Sequence, residues 1–166
     1  MQLKKVITYP NDVLITPCRT VKKITPKLLR LLDEMYDTMV ARDAIGLAAN
    51  QLGVSERVVV IELDDETGLF EMINPEIIAK SKEMSVDVEG CLSFPGTFGT
   101  VERHEEVTIR YIDREGYEME VDATGYLARA FQHELEHLDG QLFTDKIIEI
   151  IAPDELDDYM EAHGYD

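Results

Sequence analysis

Gln132-His133-Glu134-Leu135-Glu136-His137 contains a His-Glu-x-x-His motif, and this segment decides how the rest of the fold is arranged. Histidines four positions apart lie on one face of an α-helix, so both imidazole rings can reach the same metal ion. Glu134 directly follows the first histidine, which places a carboxylate beside that ion, where it can transfer protons. The spacing therefore predicts a metal-binding helix with His133 and His137 as ligands and Glu134 as the acid–base group.

The segment Glu89-Gly90-Cys91-Leu92-Ser93 provides the third expected ligand. Cys91 is one of only two cysteines, and it follows a glycine in an expected turn rather than lying in an apolar run. Three protein ligands leave one coordination position open, which is typical of a catalytic metal site. The histidine motif alone could also arise by chance on an exposed acidic helix, so the cysteine segment is what favours metal binding.

The length of 166 residues suits a single domain spanning 1–166, in which a short acidic segment begins at about residue 152. A hydrophobic fraction of 45% is ordinary for a globular protein. Two cysteines argue against a disulfide framework and suit a reducing compartment, with Cys18 expected to be a small buried or half-exposed thiol. No run approaches the roughly 20 apolar residues of a membrane span, and the first residues lack a secretory signal. These features predict a cytoplasmic protein that does not bind a membrane.

The formal net charge of −18 is the unusual number in the composition. Direct nucleic-acid binding needs clustered Lys and Arg side chains, so a charge of this sign argues against it. Such a surface could suit a salt-rich cytoplasm, but a very soluble protein is the simpler interpretation.

Two helices are expected. Thr25-Pro26 combines an N-cap residue with a proline at the first helical position, and apolar residues then recur at helical spacing to about residue 42. The second helix carries the two histidines. Thr124 can cap it, it runs to about Leu138, and Asp139-Gly140 ends it with a left-handed glycine.

Strands are expected between the two helices. Residues 57–63 are typical of a buried strand, and residues 70–78 of another that is interrupted at Asn74-Pro75. Residues 107–113 and 117–121 alternate around a turn sequence and predict a hairpin. This order predicts an α+β fold in which antiparallel β-sheets pack around a central metal-binding helix. The acidic end of the chain is expected to be a short helix or a loose tail.

A third segment, Ala44–Gly53, reads Ala-Ile-Gly-Leu-Ala-Ala-Asn-Gln-Leu-Gly and would by itself indicate a tight loop between helix and strand. Together with the other two segments, in this order, it resembles the peptide deformylases. That family carries a Gly-hydrophobic-Gly-hydrophobic-Ala-Ala-x-Gln loop, a Glu-Gly-Cys-Leu-Ser segment and a Gln-His-Glu-x-Asp-His helix. The likeness runs nearly end to end and includes Tyr9–Leu14, Met72–Ile77 and Leu138–Phe143.

Two residues depart from the family pattern. Ala44 stands where the first glycine of the loop is usual, which removes some backbone freedom or room for the substrate. Glu136 stands where the family usually has Asp. Its spacing excludes it as a ligand, so we expect it to change the surroundings of the ligands without loss of activity.

The resemblance implies a metal-dependent hydrolase that removes the N-formyl group from the N-terminal methionine of newly synthesised proteins and releases formate. Its substrates would be N-formylmethionyl peptides and nascent chains. It also implies one divalent ion per chain, usually Fe(2+), for which Zn(2+), Ni(2+) or Co(2+) can substitute, and the ligand set alone does not choose among them. Some members carry a basic C-terminal helix that meets the ribosome, and the acidic C-terminal segment here argues against docking by that route.

The resemblance further assigns roles around the ion. The Gln51 side-chain amide and the Leu92 backbone N–H would stabilise the oxyanion, and Glu134 would pass its proton to the leaving amine. The alternative for Gln51 is that it merely closes its loop by hydrogen bonding.

The expected substrate-binding residues come partly from the family and partly from counting along the helix. Positions three, four and seven before His133 share its face, and Ala130 would leave room for a methionine side chain. Arg103 matches a family arginine near the substrate, with a surface ion pair as the alternative. For Arg129 the alternative is a surface or internal ion pair, and for Glu89 it is a solvated turn charge. The full expected set is Ile45, Gly46, Glu89, Gly90, Arg103, Tyr126, Arg129 and Ala130.

Two other protein classes compete with this interpretation. A zinc metallopeptidase uses the same motif but usually takes its third ligand downstream. The downstream candidates, which lie in no recognised motif, are Glu149, Glu155, Glu161 and His163. A non-catalytic metal-binding protein is the second alternative, but such a protein has no chemical need of Glu134 or Gln51.

Overall fold

The computed structural model describes residues 3–162 of the chain, and the side chains of residues 3–159. Within that range the chain forms two antiparallel sheets and three α-helices, and four short 3₁₀ helices lie before and between these elements. In chain order the elements are α1 (Pro26–Ala41), β1 (Gly46–Ala48), β2 (Val58–Glu62), β3 (Leu69–Lys80), β4 (Met84–Cys91), β5 (Phe94–His104), β6 (Glu106–Ile112), β7 (Glu118–Thr124), α2 (Gly125–Leu138), β8 (Ile150–Ile151) and α3 (Leu156–Ala162). No helix in these described residues is long and apolar enough to cross a membrane.

Residues 58–61 of strand β2 are buried on both faces of the larger sheet, because each face packs against a different helix. The strand order is β1-β2-β3-β6-β7, with every neighbour antiparallel. Successive side chains of a strand point to opposite faces of the sheet. Val59 and Ile61 belong to the cluster that includes Phe131 of α2, whereas Val58 and Val60 belong to the cluster formed with α1. The sheet is therefore enclosed between α1 and α2 at this strand.

Helix α1 forms where the sequence predicts it. Thr25 has extended backbone, and its side chain accepts a hydrogen bond from the Leu28 N–H. Pro26 occupies the first turn, where its missing N–H would have had no helical partner. The apolar stripe is buried, and it comprises Leu28, Leu31, Leu32, Met35 and Met39.

Helix α2 lies at the centre of the molecule and contacts strands of both sheets. It begins after Thr124, as predicted, although the Thr124 side chain makes no capping hydrogen bond. It ends at Leu138, and Gly140 takes a φ of 73°, the left-handed conformation that the sequence predicts. A Cβ atom on Gly140 would lie 2.8 Å from the backbone of Ile15, so a larger residue does not fit there.

The smaller sheet has the strand order β4-β5-β8, and its long β4–β5 hairpin is not predicted from the sequence. Glycine, proline and charged residues interrupt the alternation of apolar and polar side chains in residues 84–104. The sequence pattern therefore does not indicate either strand. Cys91 is the last residue of β4 and precedes the Leu92-Ser93 turn, so the expectation that it lies in a turn is wrong by one position. The hairpin brings Cys91 to α2.

The remaining predictions are largely confirmed. Strand β3 continues through Asn74-Pro75, where its pairing with β6 shifts register and Asn74 takes a φ of 52°. Strands β6 and β7 form the predicted hairpin. The α+β class, with antiparallel sheets around the metal-binding helix, is confirmed. The acidic end forms the short helix α3, and residues 163–166 lie outside the described range.

Candidate metal centre

Three side chains from two separate parts of the chain meet beside α2. Cys91 lies at the end of β4, whereas His133 and His137 are one helical turn apart on α2. Their candidate ligand atoms all lie within 4.8 Å of one another, and Sγ of Cys91 is 3.3 Å from Nε2 of His137. The structure therefore brings together the three residues that the sequence predicts as metal ligands.

This donor group fits a transition metal ion. Bonds of about 2.3 Å to sulfur and about 2.1 Å to nitrogen place two donors of one tetrahedral ion roughly 3.5 Å apart. The separation of 3.3 Å between Cys91 and His137 is close to that distance. Burial, with the charges of His133 and Arg103, holds the pKa of His137 well below its ordinary value. Its imidazole is therefore neutral, which is the form that binds a metal.

Glu89 holds the other histidine in place. Its buried carboxylate accepts hydrogen bonds from Nδ1 of His133 at 2.8 Å, from Arg129 at 2.8 Å and from two nitrogens of Arg103 at 2.9 Å. Burial alone would raise the pKa of Glu89, but the hydrogen bonds from Arg103 and His133 hold it well below its usual range. The carboxylate is thus ionised, and it fixes the ring of His133 so that Nε2 is left for the ion.

Arg103 connects Glu89 to the surface of the protein. Its Nη1 donates to Glu136 at 2.5 Å, and Glu136 accepts a second hydrogen bond from Lys146. Arg103 is 2% exposed, whereas the Lys146 side chain is 44% exposed. Side chains of alternating charge therefore lead from Lys146 through Glu136, Arg103 and Glu89 to His133. Glu136, one of the two departures from the family pattern, is the member that contacts both cations.

Gln51 lies in a short 3₁₀ helix, Ala49–Leu52, that follows β1, and its amide is against Cys91. Its Oε1 accepts a hydrogen bond from the Ala48 N–H at 2.9 Å, which closes the loop. Its Nε2 lies 3.2 Å from Oγ of Ser93 and 3.4 Å from Sγ of Cys91. These contacts turn the NH₂ group of the amide, rather than its oxygen, toward the metal donors. Gln51 closes its loop, as the alternative interpretation expects, and also presents a donor to the site.

Glu134 is buried next to the metal donors. Its Oε1 has no hydrogen-bond partner among the described residues. Its other oxygen faces Gly46, where an added Cβ atom would lie only 2.7 Å from Oε2. Burial raises the pKa of Glu134 to about 7, despite the opposing charge of His133. A carboxyl group with a free oxygen and a pKa near neutrality can both take up and release a proton.

A pocket of about 450 Å³ opens over the metal donors. Gln51, Leu92 and Glu134 line it, together with Cys91 and His133. A cavity of about 60 Å³ lies beside it, against the face of α2 that precedes His133. The expected substrate-binding residues that line one or both spaces are Ile45, Gly46, Glu89, Gly90, Tyr126, Arg129 and Ala130.

Comparison with known proteins identifies the family. The family model for polypeptide deformylases matches residues 3–151. This chain belongs to the peptide deformylase family. Peptide deformylase 1 of Bacillus subtilis (strain 168) is 49% identical over 158 residues, which cover 95% of this chain and 98% of that protein. Peptide deformylase 1 of Bacillus cereus is 46% identical over 157 residues, covering 95% of this chain and all of that protein.

Solved deformylase structures share the fold of this family member. The peptide deformylase of Thermotoga maritima has a TM-score of 0.85 and 36% identity, covering 89% of this chain and 99% of that one. The Synechococcus elongatus enzyme, solved in complex with actinonin, has a TM-score of 0.84 and 35% identity, covering 98% and 87%. The resemblance drawn from the three sequence segments is confirmed.

Three charged residues of the expected substrate-binding set are buried and paired with one another. The alternative interpretation of Arg103 as a surface ion pair is wrong, because this residue is 2% exposed. Arg103, expected among the substrate-binding residues, lines neither space at the site. Arg129 forms the internal ion pair that its alternative interpretation expects: its head group donates to Glu89 and to the Val101 carbonyl. Glu89 is buried in β4, which excludes a solvated turn charge.

Sequence reasoning missed two members of the site. Ser93 accepts from Gln51 and donates to the Ile7 carbonyl, and its place in the Glu-Gly-Cys-Leu-Ser segment was a signal that could have indicated it. Lys146 had no such signal, because its contact with Glu136 depends on how the chain folds back after α2. Among the metallopeptidase alternatives, Glu149 and Glu155 lie outside the donor group, and the side chains of Glu161 and His163 are not described.

Proposed function

We propose that this chain hydrolyses the N-formyl group from the N-terminal methionine of newly synthesised proteins and releases formate and a free amine. The observation that carries this function is the donor group of Cys91, His133 and His137 beside Glu134, in a member of the peptide deformylase family. The third donor comes from upstream strand β4, unlike the downstream ligand usual in zinc metallopeptidases. Residues 1–166 are proposed to act as one catalytic domain.

One divalent ion per chain is proposed at this site, with Fe(2+) as the native ion and Zn(2+), Ni(2+) or Co(2+) as substitutes. A thiolate with two imidazoles suits each of these ions, so the choice of iron rests on the family. When bound, such an ion polarises the formyl carbonyl and makes a neighbouring water more acidic. Metal analysis of protein purified without oxygen tests the choice. Zinc as the sole ion in fully active protein would rule out native iron.

Glu134 is proposed to move the protons of the reaction. Its free Oε1 accepts a proton from the water that attacks the formyl carbon, and the protonated carboxyl group then donates to the amine nitrogen as the C–N bond breaks. A group that serves as base and then as acid needs a pKa near neutrality, which burial provides. Gly46 leaves the space that this carboxylate occupies.

Gln51 and Leu92 are proposed to stabilise the negative oxygen that forms during attack. The Gln51 NH₂ group is held beside Cys91 by contacts with Ala48 and Ser93, so it does not need to reorient during the reaction. The Leu92 backbone N–H belongs to the turn between β4 and β5. Removing one such donor from an oxyanion site typically raises the barrier by about 3–4 kcal/mol.

The substrate methionine is proposed to enter the apolar space formed by Ile45, Tyr126 and Ala130. These residues line the cavity beside the metal donors. Each buried CH₂ group contributes about 0.8 kcal/mol, so an unbranched methionine side chain gains from such a slot. Gly90 lines both spaces, and it has no side chain where the Phe98 ring packs, because an added Cβ atom would lie 2.7 Å from that ring.

The activity is proposed to take place in the cytoplasm, where nascent chains are synthesised. Residues 153–166 contain six acidic residues and no Lys or Arg. A segment of that charge is repelled by ribosomal RNA, so we do not propose docking on the ribosome through it.

An assay on two substrates tests this function. Release of a free amine from formyl-Met-Ala-Ser is expected, while casein is expected to remain uncut by the same sample. Glu134→Gln should lower the first activity by at least about 10²-fold, as loss of a general acid–base group does, and should keep its metal. Cleavage of casein without release of formate would assign the site to a peptidase. Loss of the metal from Glu134→Gln would instead indicate that Glu134 helps to hold the ion.

A further inference from the structure

The charges of this chain are divided unevenly along its length. The first 30 residues contain seven Lys and Arg side chains and a single acidic one, a net charge of +6. The remaining residues contain nine basic and 33 acidic side chains, a net charge of −24. High solubility explains a negative surface but does not explain why the positive charges are gathered together.

Five of these cations line one groove of about 780 Å³, which lies between the start of α1 and the loop before β2. They are Lys4, Arg19, Lys22, Lys23 and Lys27. Lys4 pairs with Glu34 at 3.3 Å. The other four are exposed, and none of them forms an ion pair with a side chain among residues 3–159. Their charges are therefore free to meet carboxylates from outside the chain.

The floor of this basic groove is apolar. Leu28 and Leu31 are 4% and 7% exposed at its base, and the half-buried side chains of Val21 and Val54 flank them. Cations around an apolar floor fit a ligand that carries both carboxylates and an apolar side chain. The space exceeds that of the pocket over the metal donors, so it is suited to several residues of a peptide rather than to a small anion.

The walls of the basic groove are held by backbone hydrogen bonds. Asn74 accepts from the Val21 N–H and donates to the Val21 carbonyl, both at 2.8 Å. The Arg19 N–H donates to the Ser55 carbonyl at 2.9 Å, and the Arg57 N–H donates to the Arg19 carbonyl at 3.0 Å. A wall fixed in this way loses little conformational freedom when a ligand binds, which favours affinity.

We propose that the basic groove binds a short acidic peptide segment, with an apolar side chain among its carboxylates, presented by a partner protein. A nucleic acid fits less well for two reasons. None of the described lining residues is aromatic, and Glu34 and Glu56 also line the groove. A long polyanion would extend beyond the groove and be repelled by the rest of the chain, which has a net charge of −24. A short segment would remain within the groove and avoid this repulsion.

The basic groove and the active-site pocket lie at opposite ends of α1. The groove includes Lys27 in the first turn of the helix, while Arg42 and Ala44, just after its last turn, line the pocket over the metal donors. A helix of 16 residues is about 24 Å long, so a peptide in the groove leaves the pocket open. The deformylase reaction and the binding of this partner can therefore be tested separately.

Fluorescence anisotropy with a synthetic peptide tests the proposal. The probe is a labelled eight-residue peptide with Leu at every third position and Asp or Glu elsewhere, added to the full metal-loaded chain. The double variant Lys22→Glu/Lys23→Glu is expected to weaken binding at least tenfold. Lys80→Glu/Lys82→Glu is the matched control, because it changes the net charge equally at two exposed lysines outside the groove. Deformylation of formyl-Met-Ala-Ser should be unchanged in both, which also shows that they fold.

Five results would overturn the proposal. The first is failure of the wild-type chain to bind the probe at low salt. Equal weakening by both double variants would indicate a general charge effect. If a peptide with Asn and Gln in place of Asp and Glu bound as tightly as the probe, charge would play no part in binding. Tighter binding of a 12-base-pair RNA duplex would make the groove a nucleic-acid surface. Self-association that Lys22→Glu/Lys23→Glu abolishes in sedimentation would make the partner a second copy of the chain.

Discussion

Gly46 and Glu134 lie so close together that a Cβ atom on the glycine would be 2.7 Å from Oε2 of the glutamate. Gly46 begins edge strand β1, and Glu134 lies on α2 between the two histidine ligands. Both residues line the pocket over the metal donors. The position of the proposed acid–base group therefore depends on the absence of a side chain on a neighbouring strand.

The variant Gly46→Ala should lower kcat strongly. Its methyl group must displace the Glu134 carboxylate, and a misplacement of about 1 Å at a reacting group can cost roughly 10²-fold in rate. Bound metal should stay at the wild-type level, since the ligands are not touched. Ala44→Gly is the matched control, because it removes a methyl group from the same loop and restores the usual family residue. Wild-type turnover in Gly46→Ala would show that Glu134 does not act from this position.

The burial of Glu134 predicts the pH dependence of the reaction. Burial raises the pKa of this carboxyl group to about 7 in the chain without metal, and a neighbouring divalent cation lowers it. A base must be ionised, so kcat/KM should fall as the pH decreases through this pKa, with a midpoint below pH 7. A profile of kcat/KM from pH 4.5 to 9 on the nickel form measures the midpoint. A midpoint above pH 7 contradicts the assignment of Glu134 as base.

The two cysteines should behave differently. Cys91→Ala is expected to lose tightly bound metal and nearly all activity, because it removes one of three donors. Cys18→Ala should retain both, since Cys18 is a buried thiol outside the donor group, and burial raises its pKa to about 11. Metal per chain, measured by mass spectrometry after dialysis, compares them. One ion per chain in active Cys91→Ala would exclude this ligand set.

Glu136 should affect how firmly the metal is held. Glu136→Gln removes the carboxylate that pairs with buried Arg103, and loss of residues that support metal ligands typically costs about 10–100-fold in affinity. We expect at least a tenfold faster loss of Co(II) to a chelator, with partial rescue by Glu136→Asp, the usual family residue. Glu120→Gln, which breaks an exposed pair with Arg110, is the control. If Glu136→Gln lost Co(II) at the wild-type rate, the contact between Glu136 and Arg103 would have no effect on metal binding.

The proposed methionine pocket is tested by filling it. Ala130→Leu should raise KM for formyl-Met peptides more than for formyl-Ala peptides, because the added carbons occupy the cavity between Ile45 and Tyr126. The metal content should not change. Ala79→Leu, the control, adds the same group at an exposed position on β3 and should not raise KM for either kind of peptide. Equal effects of Ala130→Leu on both substrates would place the methionine side chain elsewhere.

The parts of the site that the sequence predicts are those encoded by local spacing. His133 and His137 are four residues apart on one helix, so the period of the helix alone brings them together. Cys91 lies more than 40 residues away, and only its family segment connected it to them. The strands that carry it lack clear alternation, so the β4–β5 hairpin was missed and the ligand was placed in a turn.

Arg103 shows where sequence reasoning fails for a physical reason. An arginine between glutamates in a polar stretch is typical of a surface residue, since charged side chains are rarely fully buried. Here three carboxylate contacts, two from Glu89 and one from Glu136, compensate the cost of removing the guanidinium from water. Such compensation depends on residues that meet only in the folded chain, so no local pattern indicates it.

The contacts of Glu89 also limit how the gene for this protein can change. One carboxylate accepts hydrogen bonds from Arg103, Arg129 and His133. A single substitution at Glu89 therefore removes one of the two acidic partners of Arg103 and the acidic partner of Arg129 among the described residues. Breaking a buried pair from one side typically costs about 3–5 kcal/mol, a large share of the stability of a small domain. Lineages that lose Glu89 should therefore also have lost an arginine at one of the two partner positions.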